Sequence, residues 1–205
     1  MATRPNRTIS NFKSAMTGGG ARPNLFEVEM TLSELGFQLP GFSASDFQFM
    51  CKAASIPAMT VASIDVPFRG RIFKVAGDRT IDTWTVTIIN DESFNLRGAF
   101  ETWTEQIAKL DNNLGATDPN AYMASATVYQ LGRGEKASSK NNSGSANALL
   151  QTYKFESIFP TEVSTIDLSY DSSDTIEEFT VTFAVQSIER LGKSAVSAAS
   201  PNVGG

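Results

Sequence analysis

The run from Thr83 to Ile89 constrains this chain most. Trp84, Val86 and Ile88 alternate with Thr83, Thr85 and Thr87. A period of two in aromatic and β-branched residues is what a strand with one buried face requires. Directly after it, Asn90-Asp91-Glu92-Ser93 offers helix-capping side chains, with acids beside the positive end of a helix dipole. The spacing of Leu96, Phe100, Trp103, Ile107 and Leu110 then predicts one apolar helix stripe, over about residues 93–110. Asn112 to Gly115 marks its end.

Before that strand lies a second, shorter alternation, Ile64, Val66 and Phe68. About a dozen residues separate the two, where a ribbon usually turns in a few. They are basic and Gly-punctuated, with Arg69, Arg71, Lys74 and Arg79 against Asp78 alone, and they alternate weakly through Ile72, Phe73 and Val75. Two readings stay open: an exposed hairpin arm with a solvated basic face, or an arm that becomes ordered against a neighbouring subunit. Mixed Arg/Lys and uncovered Ile/Phe/Val is the composition of an interface.

The remaining elements read as mainly β. Strands are expected near 25–32, 47–55, 61–68, 122–131, 150–159, 165–170 and 177–188, beside the one at 83–89. The expected fold is an antiparallel β-sandwich or barrel with one flanking helix and a long hairpin arm. Residues 1–20 end in three glycines and read as a flexible arm, in which Ile9, Phe12 and Met16 could dock on a neighbour. Residues 21–190 form one β domain, and 191–205 a mobile tail.

Several chemistries lack their residues. With no histidine in 205 residues, the commonest general base and His-ligated zinc are missing. The single cysteine, Cys51, cannot form an intramolecular disulfide and reads as a buried structural thiol. Glu177 and Glu178 are adjacent on a strand, so they point to opposite faces and cannot share a substrate. Asp171 and Asp174 suit a turn. No catalytic, cofactor or metal site is expected. A net charge of −5 argues against a dedicated nucleic-acid-binding domain. No run of about 20 apolar residues offers a membrane span, and the N-terminus leads into no signal-peptide core, so a cytosolic site of synthesis is expected.

Charge is unevenly placed. Between Phe155 and Ile188 stand Glu156, Glu162, Asp167, Asp171, Asp174, Glu177 and Glu178, with no Lys or Arg. This is either ordinary solvated surface or one half of a head-to-tail contact with the basic arm of another copy. Thr83, Thr85 and Thr87, with Thr180, Thr182 and Gln186, form uncharged polar strand faces. On a monomer they would face water; in a ring of copies they would wall a channel.

Six blocks in order resemble the tail tube proteins of contractile-tailed bacteriophages. They are Ala21 to Glu29, Cys51 to Ala58, Phe73 to Thr80, Trp84 to Asp91, Phe159 to Val163 and Leu168 to Phe183. The resemblance spans roughly residues 21–189. It implies a structural virion protein, assembled in the host cytoplasm. Six-fold rings would stack into a hollow tube, with the strands of all copies forming one barrel around the lumen. The arm carrying Arg69, Arg71, Phe73, Lys74, Asp78 and Arg79 would reach the next ring. Implied partners are further copies, the tail sheath, the baseplate hub, a terminator and a tape-measure protein, with DNA in transit. Tubes of contractile injection systems that carry no genome share this architecture. A monomeric binding module is the reading from another class.

Overall fold

The computed structural model describes residues 8–16, 19–112, 114–135 and 147–191. The N-terminal segment contains α1 (Ile9–Ala15), capped by the Thr8 hydroxyl, which accepts from the Asn11 amide. Strand β1 (Phe26–Thr31) follows, then α2 (Ala44–Met50), β2 (Cys51–Ala54), β3 (Met59–Phe68), β4 (Arg71–Ile81) and β5 (Trp84–Ile89). Helix α3 (Asn95–Ile107) and the single turn α4 (Pro119–Tyr122) lead into β6 (Ala124–Glu135), β7 (Asn147–Val163), β8 (Glu178–Ala184) and β9 (Ser187–Leu191). Seven strands form one sheet in the order β1-β6-β7-β8-β5-β2, with β9 also paired to β7; β3 and β4 form a separate ribbon.

The chain divides into two compact units. The larger comprises residues 28–127 and 154–189 and holds most of the core. Trp84, Val86 and Ile88 from β5, with Phe179, Val181 and Phe183 from β8, are fully or almost fully buried. The register pairs Trp84 with Phe183, Val86 with Val181 and Ile88 with Phe179, so all six share one face. Helix α3 lays Leu96, Phe100 and Trp103 into that core. Phe100 meets Phe183 edge-on at 5.9 Å between centroids, and Trp84 lies 4.9 Å from Phe155 and 5.2 Å from Phe183. The Trp103 indole donates to the Tyr122 carbonyl at 2.9 Å, tying α3 to α4.

The smaller unit comprises residues 1–27, 128–153 and 190–205. In it, Gln130 Nε2 donates to the Arg22 and Leu25 carbonyls, both at 2.8 Å, and Gln151 Nε2 donates to the Leu191 carbonyl at 2.8 Å. Long amides thus stand in for missing ladder bonds at the strand ends.

The mainly antiparallel β fold, its flanking helix and its long arm agree with the sequence reading. Several elements differ. Within one chain the sheet is an open path ending at β1 and β2, with helices packed on its apolar face, rather than a sandwich or closed barrel. Residues 47–50, expected to open the strand at 47–55, instead belong to α2: Ser43 caps it by accepting from the Asp46 amide, Phe47 is buried against Phe42 and Phe100, and Phe49 faces outward. Apolar residues at i and i+2 share a face on a strand but point to opposite sides of a helix, and here the cap and the packing of Phe47 override the strand pattern. Residues 165–170 carry no strand, because pairing with β8 stops at the Ser164 amide, which donates to the Thr180 carbonyl. The expected strand 177–188 breaks between β8 and β9. Helix α3 stops at Ile107, which leaves Leu110 outside the stripe and 99 % exposed. Residues 136–146 and, beyond Leu191, the expected tail lie outside the described residues.

Candidate assembly surfaces

Most of the dozen residues between the two alternations form β4, the hydrogen-bonded partner of β3 in the arm. The ribbon turns on two residues, Arg69 at φ 45° and Gly70 at φ 80°. Two consecutive left-handed residues match the twist of a tight hairpin, and glycine meets the second at no steric cost. The register runs from Phe68 opposite Arg71 to Met59 opposite Ile81. One slip falls between Val61 and Ser63, where β4 carries an extra residue. A Cβ on Gly77 would come within 3.2 Å of the Ala62 carbonyl, so a side chain there would press on β3 at the bulge.

Cross-strand partners share a face, so the register sorts the ribbon's side chains. Ile64, Val66 and Phe68 stand opposite Val75, Phe73 and Arg71, a continuous apolar stripe with a cation at the tip. Asp65 and Pro67 stand opposite Lys74 and Ile72 on the other face, where Lys74 Nζ and Asp65 Oδ1 are 3.2 Å apart. Every β3 residue is exposed, and so are Ile72 and Phe73, each about two-thirds accessible. At the tip, the Arg69 guanidinium lies 5.4 Å from the Phe68 ring centre. Arg79 reaches back to the Met59 sulfur near the base. Asp78, beside the bulge, is exposed.

The second surface is the sheet face opposite the core. Thr85 pairs with Thr182 and Thr87 with Thr180, and all four are half-buried. Glu162 of β7 stands opposite Thr182, and Ala53 of β2 opposite Thr87. Ser55 extends this face at the edge: its hydroxyl donates to the Thr85 carbonyl and accepts from the Thr85 amide, both at 3.2 Å. Thr83 and Gln186 are exposed and flank the ladder outside its strands. Sequence reasoning missed the ion pair between Lys52 and Glu178 that ends the ladder, since the two are remote in the chain and only strand pairing joins them. A second pair, Lys154 and Glu156 at 2.8 Å, sits on β7. Their hydrogen bond, ahead of the Coulomb attraction, raises the lysine and lowers the carboxyl from their ordinary values.

Cys51 offers no reactive centre. It is buried in β2 opposite Ile88, and desolvation pushes its thiol up to about 12, far from the thiolate needed for nucleophilic work. Among the described residues no group of three or more acids and thiols is placed to hold a metal, and no helix is long and apolar enough to cross a membrane.

An uncovered two-faced ribbon beside a threonine-lined ladder gives this β subunit the surfaces of a structural protein. Residues 21–188 match the phage tail tube protein family, and the chain belongs to it. It is 37 % identical over 169 residues to the tail tube protein gp19 of Enterobacteria phage T4, covering 82 % of this chain and 91 % of that one; the phage T6 protein matches equally. These relatives are structural tail tube proteins and not enzymes. The fold is also that of a protein in the sheath–tube complex of an extracellular contractile injection system (TM-score 0.54, 14 % identity, 91 % of this chain and 99 % of that one). A protein of the six-fold symmetrised anti-feeding prophage baseplate shares it too (TM-score 0.57, 15 % identity, 85 % and 97 %).

Proposed function

We propose that copies of this chain close into six-fold rings that stack as the inner tube of a contractile phage tail, the conduit for DNA ejection. The observation that carries this is the ribbon of β3 and β4, exposed on both faces yet lined by Ile, Val and Phe. A two-stranded hairpin alone in water is marginally stable. An apolar stripe of this length is a surface awaiting a cover. Arg69, Arg71, Phe73, Lys74, Asp78 and Arg79 then form an inter-ring contact. The free edges at β1 and β2 are a hazard in a monomer and disappear when neighbouring copies join sheets around a closed ring.

In that ring the Thr85, Thr87, Thr180 and Thr182 ladder faces the lumen, with Thr83 and Gln186 at its ends. A wall of threonines beside Glu162, on a subunit of net charge −5, offers phosphate neither a cation cluster nor apolar grip, so DNA passes without being held. The tube's outer surface meets the sheath, its ends meet a baseplate hub and a terminator, and a tape-measure protein fills it during assembly. The structural neighbours in contractile systems, described in complexes with sheath, baseplate and terminator, support the sheath, baseplate and terminator contacts. The 37 % identity to phage proteins favours a genome-carrying tail over an injection tube.

Negative-stain electron microscopy of the concentrated protein, with light scattering on the same sample, tests the reading. Stacked rings or hollow tubes are expected. A monodisperse monomer whose 69–79 arm resists limited proteolysis would overturn it.

A further inference from the structure

Residues 164–177 leave the sheet after Ser164 and rejoin it at Glu178. They carry Asp167, Asp171, Asp174 and Glu177 and no Lys or Arg. Within it the Asp171 amide donates to the Ser169 hydroxyl, and at its end the Asn90 side-chain amide donates to the Glu177 carboxylate at 3.0 Å. It frames an open cleft of about 410 Å³ lined by Asp167, Leu168, Tyr170, Ser172, Thr175 and Glu177. Leu168 and Tyr170 are among the most exposed apolar side chains described, with Ile176 close behind. Large exposed apolar groups framed by acids have the make-up of a docking surface rather than of solvated turn.

The tip of the ribbon is its complement. Phe68 and Phe73 are exposed there, and Arg69 and Arg71 make no ion pair among the described residues, unlike Lys74 with Asp65. The carboxylates of Asp167, Asp171 and Asp174 are likewise unpaired. Both surfaces lie open in the single chain, so neither covers the other within one copy. β3, ten residues long, spans on the order of 30 Å, enough to carry the tip to a neighbour.

We propose that the 164–177 cleft receives the ribbon tip of a second copy. Phe68 packs on Leu168 and Tyr170, while Arg69 and Arg71 meet Asp167 and Asp171. Donor and acceptor are different surfaces of one chain, so the contact is heterologous and propagates head to tail. Complementary charge sets its direction and register. This rests on the tube reading and names the surface that the arm engages.

The test places p-benzoylphenylalanine at position 68 and irradiates an equal mixture of isotopically heavy and light full-length chains. Crosslinks joining heavy to light chains and ending within residues 164–177 are expected. They should vanish when the acceptor carries Asp167→Arg and Asp171→Arg. They should return when the donor also carries Arg69→Glu and Arg71→Glu. Inter-copy crosslinks ending elsewhere, or none, overturn the docking. Microscopy of the same samples judges the tube separately: tubes without this crosslink dismiss the docking alone, and the crosslink without tubes dismisses the closed tube alone.

Discussion

Thr85 lies directly opposite Thr182 across the β5–β8 ladder, one residue along each strand from Trp84 and Phe183, which pair on the buried face. The same two strands therefore supply the core with one side and a threonine-lined polar surface with the other. If that surface lines a lumen, Thr182→Cys in assembled tubes should react with a small maleimide and be protected from a bulky polymer-linked one. Before assembly both reagents should label it. Equal labelling of tubes by the two reagents would move the ladder to the outside.

Arg69 and Arg71 stand at the exposed ribbon tip and touch nothing in the core. Arg69→Glu with Arg71→Glu should leave the monomer's thermal midpoint unchanged, since surface changes of this kind stay within about 0.5 kcal/mol. Polymerisation, followed by light scattering, should be abolished. Normal tubes from the double variant would remove the basic arm from the assembly contact.

Helix α3 begins without a capping side chain at its first position, where Phe94 adopts φ 53°. The Asp91 carboxylate takes over, accepting from the Asn95 amide at 3.2 Å and the Leu96 amide at 3.4 Å. It satisfies two otherwise unpaired donors and places negative charge at the positive end of the dipole. Asp91→Ala should cost about 1 kcal/mol in urea unfolding, the usual worth of a capping group.

The Cys51 thiol has a folded-state value of about 12, raised by burial. A raised value favours the folded state below the unfolded thiol's titration, near pH 8.5. That contribution declines as pH rises toward 12, because the unfolded chain releases its proton first. Stability should therefore fall above about pH 9, more steeply in the wild type than in Cys51→Ala, by up to about 1.4 kcal/mol per pH unit. Iodoacetamide should modify the native protein far more slowly than the urea-unfolded one.

Much of the fold was legible because it rests on local period. The alternation Trp84-Val86-Ile88 and its counterpart Phe179-Val181-Phe183 each decide which way a strand faces, whatever its neighbours are. The Leu96-Phe100-Trp103 stripe does the same for the helix. The ribbon was only half legible. Its composition marked an interface, but residues 71–81 alternate weakly because both faces are open and neither had to be apolar throughout. Phe47 and Phe49 misled because spacing by two signals a strand, while on the short helix that the Ser43 cap favours they point to opposite sides, Phe47 against Phe100 and Phe49 into solvent.

The sequence by itself determined the mainly β class, the polar Thr faces, the charged arm and the absence of histidine chemistry, since these depend on residue identity and spacing alone. Only the tertiary structure decided that Thr85 meets Thr182, that Lys52 meets Glu178, that the sheet stays open at β1 and β2, and that the 164–177 segment frames a cleft. Each depends on which strands pair and in what register. Pairing is selected by the total burial of a shared core, a sum over residues remote in the chain that no local pattern records.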